Sequence, residues 1–144
     1  MKVLVDTNVI SELRKGPRCD PNVSAWFAAL PDDAVYLSAL VIGEIRQGIE
    51  RIRRRDAKAA RSLDAWLQKL VARHDERILP VDRRVAEEWG RMNVPNPVPV
   101  VDGLMAATAR VHDLILATRN VKDISRTGAR TVNPFEVSLG ASPA

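Results

Sequence analysis

Short apolar runs alternate with amphipathic helical patterns along this chain, and that alternation restricts the possible folds more than any other feature. Lys2 to Val5 reads as a buried strand, rich in β-branched residues and bounded by Asp6-Thr7-Asn8. Val35-Tyr36-Leu37, Arg77 to Val81 and Leu114 to Thr118 repeat the pattern, and Arg130-Thr131-Val132 adds a candidate edge strand. Helical signals fill the intervals. Asp6-Thr7-Asn8 suits the cap of a helix through Ile10 and Leu13 that Gly16-Pro17 stops, and Asp20-Pro21 starts another with Val23, Trp26, Phe27 and Leu30 on one face. Ser38 caps a helix with Val41, Ile45, Gly48, Ile49 and Ile52 on one side, and Asp56 begins a longer one ending near His74. Asp82 to Met92 and Asp102 to His112 complete the set. Strands separated by helices imply an α/β domain of three layers, α/β/α, around a parallel sheet of four to five strands.

The 144 residues make one domain, assigned to residues 1–136, with 137–144 expected to form a flexible C-terminal tail. Pro95-Asn96-Pro97-Val98-Pro99 is a stiff loop rather than an interdomain linker. The lone Cys19 excludes an internal disulfide, and the apolar opening run is too short for a signal peptide or a membrane span. A reducing cytoplasm is therefore expected. With 22 Lys and Arg against 18 Asp and Glu, the net charge of +4 and a pI near 9.7 favour an anionic partner.

Four acids stand where a carboxylate needs a reason to be. Asp6 ends the first strand, Glu44 borders the apolar stripe of the third helix, Asp102 opens a later helix, and Asp123 closes the polar turn after the fourth strand. In an open α/β sheet, ligands bind beyond the carboxyl ends of the strands, where Asp6 and the Asn120–Asp123 turn belong. Four carboxylates meeting in a partly desolvated pocket repel one another and take up protons unless a hard cation neutralises them. Mg²⁺ suits such oxygen ligands, with Mn²⁺ also possible, whereas one cysteine and two histidines supply no zinc motif.

These residues carry a resemblance. Asp6-Thr7-Asn8, Glu44 within Ser38-Ala39-Leu40-Val41-Ile42-Gly43-Glu44-Ile45, Asp102 before Gly103-Leu104-Met105-Ala106-Ala107-Thr108-Ala109, and Thr118-Arg119-Asn120-Val121-Lys122-Asp123 resemble the PIN domain. The similarity is to the VapC toxins of type II toxin–antitoxin systems, including their FitB-like branch, and it extends to Asn133-Pro134-Phe135. It implies a Mg²⁺- or Mn²⁺-dependent endoribonuclease, a homodimer, silenced by a small antitoxin protein. Asp6 and Asp102 would anchor the metal, Glu44 and Asp123 would complete its shell, and the fourth place could be shared between Asp123 and Asn120. Thr7, Asn8, Thr118 and Asn120 would support the pocket.

Each residue also has a plainer use. Asp6 and Asp102 suit helix caps, and Arg53, Arg54 and Arg55, candidates for RNA contact, equally suit a helix C-terminus. Glu44 resists such an account, because it borders Val41, Ile45 and Gly48 with no basic residue four positions on. The favoured chemistry is metal-assisted phosphodiester hydrolysis. A non-catalytic PIN-like RNA-binding regulator is the alternative. A metal-dependent phosphatase of haloacid-dehalogenase type is disfavoured, because it would need an Asp where Asn8 stands.

Overall fold

The computed structural model describes residues 1–136; the expected tail over 137–144 lies outside the described residues. The first strand, β1 (Val3–Val5), is fully buried, as a central strand of a parallel sheet must be. It runs into α1 (Thr7–Leu13), which ends before Gly16 at φ +59°, a backbone angle that glycine adopts without strain. α2 (Pro21–Ala28) follows with Asp20 as its cap, and then β2 (Val35–Ser38). Ser38 ends that strand and caps α3 (Ala39–Arg53); Asp56 caps α4 (Ala57–His74). β3 (Ile78–Leu79) is shorter than the apolar run that announced it, and Asp82 caps α5 (Arg83–Met92). α6 (Val100–Val111) leads into β4 (Ile115–Ala117), a short helix α7 (Val121–Ile124) and the edge strand β5 (Thr131–Val132).

The five strands pair in the order β3-β2-β1-β4-β5, all parallel, flanked by helices. Sequence order reverses between β1 and β4, so the crevice beyond their carboxyl ends is the natural ligand position of this architecture. Leu4, Leu37 and Leu116 from the three inner strands are buried with Val9, Val41, Ile49, Met105 and Ile124 in one core. Trp26 is buried in it, and Trp66 packs at its margin. Among the described residues, no helix is long and apolar enough to cross a membrane.

Candidate active site

β1 delivers Asp6 to the crevice. Its backbone N–H donates to the Ala117 carbonyl of β4 at 2.9 Å, which locks the two strand ends side by side. Asp6 caps α1, with Oδ1 accepting from the Thr7 N–H at 2.7 Å, while Oδ2 accepts from the Thr118 hydroxyl at 2.8 Å and the Asn8 amide at 3.4 Å. The cap expectation and the site expectation therefore describe the same carboxylate. Only 8% of Asp6 is exposed.

Thr118 is fully buried at the end of β4 and bridges to the next element. Its hydroxyl accepts from the Asn120 N–H at 3.0 Å, and the Asn120 amide donates to Asp102 Oδ2 at 3.2 Å. Asp6, Thr118, Asn120 and Asp102 thus form one hydrogen-bonded chain. Asp102 stands in the first turn of α6, whose N-cap position is Pro99, so it is not the cap that its sequence position allowed. That leaves its carboxylate available to the crevice.

Glu44, on α3, accepts from the Thr7 hydroxyl at 2.6 Å. Contrary to the expectation of a desolvated group, it is exposed: the helix turns its buried face through Val41, Ile45 and Ile49 and leaves position 44 toward solvent. Asp123 is also exposed, in the first turn of α7 rather than in an open turn.

Electrostatics link all four acids. Burial raises the Asp6 carboxyl above its ordinary value of 3.8, the Thr118 and Thr7 hydrogen bonds oppose that rise, and the charges of Glu44 and Asp102 add to it. Burial also raises Asp102, followed by the charges of Asp123 and Glu44, with the Asn120 bond opposing. The acids share one negative field. They do not share one point: among the described residues, no three His, Cys, Asp or Glu side chains are gathered closely enough to hold an ion between them. The donor set is nonetheless all oxygen, with a net negative charge that calls for a cation. That chemistry fits Mg²⁺ or Mn²⁺, which keep waters between themselves and some of their carboxylates.

The basic run lies elsewhere. Arg53 sits nine residues beyond Glu44, about 14 Å along α3 at 1.5 Å per residue. Its guanidinium pairs with Glu50 at 3.0 Å and Asp64 at 3.1 Å, and Arg46 joins Asp64 at 2.8 Å, so the cluster ties α3 to α4. Arg54 and Arg55 are exposed at the helix end. Two residues that were not singled out matter here. Glu12 is buried and holds Lys15 Nζ and the Asp20 N–H, each at 2.9 Å, joining α1 to the start of α2. Arg119, between Thr118 and Asn120, donates its backbone N–H to Asn8 Oδ1 at 3.1 Å. Its place inside the last motif was the available signal.

The chain matches the PIN domain model over residues 3–129. It is 32% identical over 139 residues to toxin FitB of Neisseria gonorrhoeae, covering 92% of this chain and 98% of that protein. VapC ribonuclease Y4jK of Sinorhizobium fredii is 31% identical over 142 residues, with 93% and 98% covered. The crystal structure of FitAcB from Neisseria gonorrhoeae superposes with a TM-score of 0.86 at 31% identity, covering 94% of this chain and 99% of that one. The strand order, the crevice between β1 and β4 and these similarities lead to one assignment: the chain belongs to the PIN-domain family.

Proposed function

We propose that this protein is the toxin of a type II toxin–antitoxin pair and acts as a Mg²⁺- or Mn²⁺-dependent endoribonuclease. The observation that carries the reading is the pairing of a buried, charge-perturbed Asp6 with Asp102 through Thr118 and Asn120 at the switch point of the sheet. Similarity to a toxin and to a ribonuclease over nearly the whole chain supports it. Asp6 and Asp102 would hold the cation, with Glu44 and Asp123 completing the shell directly or through water. When bound, the ion supplies positive charge to the scissile phosphate and lowers the pKa of an attacking water. The chain's own work is orientation. Thr118 and the Thr7 N–H fix the Asp6 carboxylate, Asn120 fixes Asp102, and Thr7 holds Glu44 against α1. No histidine is among these groups, and a water whose pKa a bound cation lowers would not require one. A basic protein suits RNA as substrate, and a small antitoxin protein and a second copy of this chain are the proposed partners.

Expression of the chain alone is expected to arrest bacterial growth, and the purified protein to cleave RNA with Mn²⁺ but not with chelator. Asp6→Asn and Asp102→Asn should abolish both effects at equal soluble levels. Mn²⁺ should also raise the melting temperature of the wild type by linkage and raise that of Asp102→Asn less. A wild-type protein whose melting ignores divalent metal would rule out the four-acid site.

A further inference from the structure

One cation, on the residue between Thr118 and Asn120, lacks an acidic partner among the described residues. Arg119 leaves the end of β4 with an exposed side chain, and among the described residues its guanidinium has neither an ion-pair partner nor a hydrogen-bond acceptor. What it has is a platform. The guanidinium carbon lies 3.6 Å from the centre of the Phe135 ring, a stacked cation–π contact. Phe135 is itself fixed, its carbonyl accepting from the Asn22 amide and its N–H donating to Asn133 Oδ1, both at 3.0 Å. Glu12, the nearby acid, is already occupied by Lys15 and the Asp20 N–H, which hold its carboxyl below the ordinary value with the Arg119 charge as the smallest contribution.

We propose that Arg119, laid against Phe135, forms a phosphate-binding subsite for RNA at the edge of the acid pocket; this rests on the ribonuclease reading above. Stacking engages the face of a guanidinium and leaves the N–H donors at its rim, which is the arrangement that grips a phosphate through two oxygens. The subsite is mechanically joined to the acids. Asn8 accepts from the Arg119 backbone N–H with its Oδ1 and donates through Nδ2 to Asp6 Oδ2, so one side chain sets both groups in register. The charge logic agrees. A polyanion approaching four carboxylates is repelled until metal is present, and a pre-oriented cation carried by the residue between Thr118 and Asn120 would offset that repulsion for a phosphate flanking the scissile one. Holding the guanidinium flat before RNA arrives also reduces the ordering cost of binding.

The test uses the full chain carrying Asp6→Asn in Mg²⁺, with a fluorescein-labelled single-stranded RNA as probe and anisotropy as readout. Adding Arg119→Ala should weaken binding about tenfold, as expected for loss of a charged hydrogen-bonding contact. The log–log salt slope should fall by about 0.7, the value for one phosphate contact on a single strand. Arg119→Lys should keep the slope while losing part of the affinity, and Phe135→Leu should do the same, because each retains the charge and loses the stack. If Arg119 merely staples the chain end, Arg119→Ala lowers the melting temperature and leaves the salt slope unaltered, which overturns the proposal. An effect confined to binding a partner protein, with RNA affinity unchanged, overturns it as well. Should Arg119→Ala fail to fold, the Lys and Phe135→Leu variants decide by the same criteria. Absence of RNA binding by the Asp6→Asn parent, with no cleavage by the wild type, would defeat both readings. A wild type that cleaves and a parent that binds RNA with Arg119→Ala unaltered would defeat this one alone.

Discussion

Three of the four acids rest on neutral donors: Asp6 on Thr118 and Asn8, Glu44 on Thr7, and Asp102 on Asn120. Hydroxyls and amides orient a carboxylate without neutralising it, so the negative charge stays available for a cation. An arginine in the same place would cancel it. A buried histidine is shifted in the opposite sense to Asp6 and Asp102. His74 is 4% exposed, its Nδ1–H donates to the Leu70 carbonyl at 2.9 Å, and burial depresses its pKa below 6.5, with Arg77 and Arg73 adding to the fall and the Leu70 bond opposing it. Between that depressed value and 6.5 the unfolded chain binds more protons, so stability is lost as pH falls through this range. Asp6 and Asp102, whose folded pKa values are raised, contribute stability at low pH that is lost as pH rises through those values, and so act against His74. Urea midpoints of wild type and His74→Leu at pH 7.5 and 5.5 separate the terms. The wild type should lose more stability on acidification than the variant, and equal losses would remove His74 from the account.

At the scale of elements, caps decide where the site residues come to rest. Asp6, Asp20, Ser38, Asp56 and Asp82 each accept a backbone N–H at the start of a helix. α6 departs from this rule, beginning at Val100 without a side-chain cap, and the departure frees Asp102 for Asn120. The next residue sets how closely α6 approaches α5. A Cβ on Gly103 would stand 2.9 Å from Trp89 Cδ1, closer than real Cβ atoms come, and 3.0 Å from both Trp89 Nε1 and Val98 Cγ2, tighter than most such contacts. Gly103→Ala should therefore cost about 1–3 kcal/mol, the usual range for overpacking. It should also weaken cleavage, because Asp102 is its neighbour. Combining it with Trp89→Leu, which vacates the ring, should recover cleavage relative to Gly103→Ala. No recovery in the double variant would mean that the ring is not what constrains the turn.

For the whole molecule, the proposed homodimer needs an apolar surface left uncovered. The long amphipathic pair α3–α4 is one candidate source, yet those helices bury Val41, Ile45, Ile49, Ala60 and Leu67 within the subunit and are stapled by Arg46 and Arg53 on Asp64. Among the described residues, the large exposed apolar side chains beyond Met1 are Val81, Val94, Val100 and Val101, all between β3 and the start of α6. Val94 is 75% and Val100 59% exposed, and Val100 lies two residues before Asp102. A two-fold contact there would set two acid pockets near each other. Light scattering at micromolar concentration should give the dimer mass for wild type and the monomer mass for Val94→Glu/Val100→Glu. A wild-type monomer would refute the assembly.

The order of the main elements, the parallel sheet and the starts of the side-chain-capped helices were legible in the sequence because they rest on local chemistry: apolar runs of strand length, proline and glycine stops, and capping side chains. The family motifs point to Asp6, Glu44, Asp102 and Asp123 as the candidate site from the sequence alone. Tertiary structure decided the rest. Pairing of β1 with β4 brought Thr118 onto Asp6, 112 positions away in sequence, and no local pattern encodes that register. Glu44 illustrates the same limit. Helical periodicity located it at the margin of an apolar stripe, but whether that margin faced core or solvent depended on how α3 rotates against β2 and α4, which is settled by packing across elements. Arg53 reads from the sequence as an RNA contact or a helix-end charge, because its partner Asp64 belongs to the next helix. The role of Arg119 is not legible locally, because its platform, Phe135, lies beyond β5 and is brought near by the pairing of β4 with β5. Sequence proximity specifies the elements, and the long-range pairing of strands specifies which charges remain unmatched.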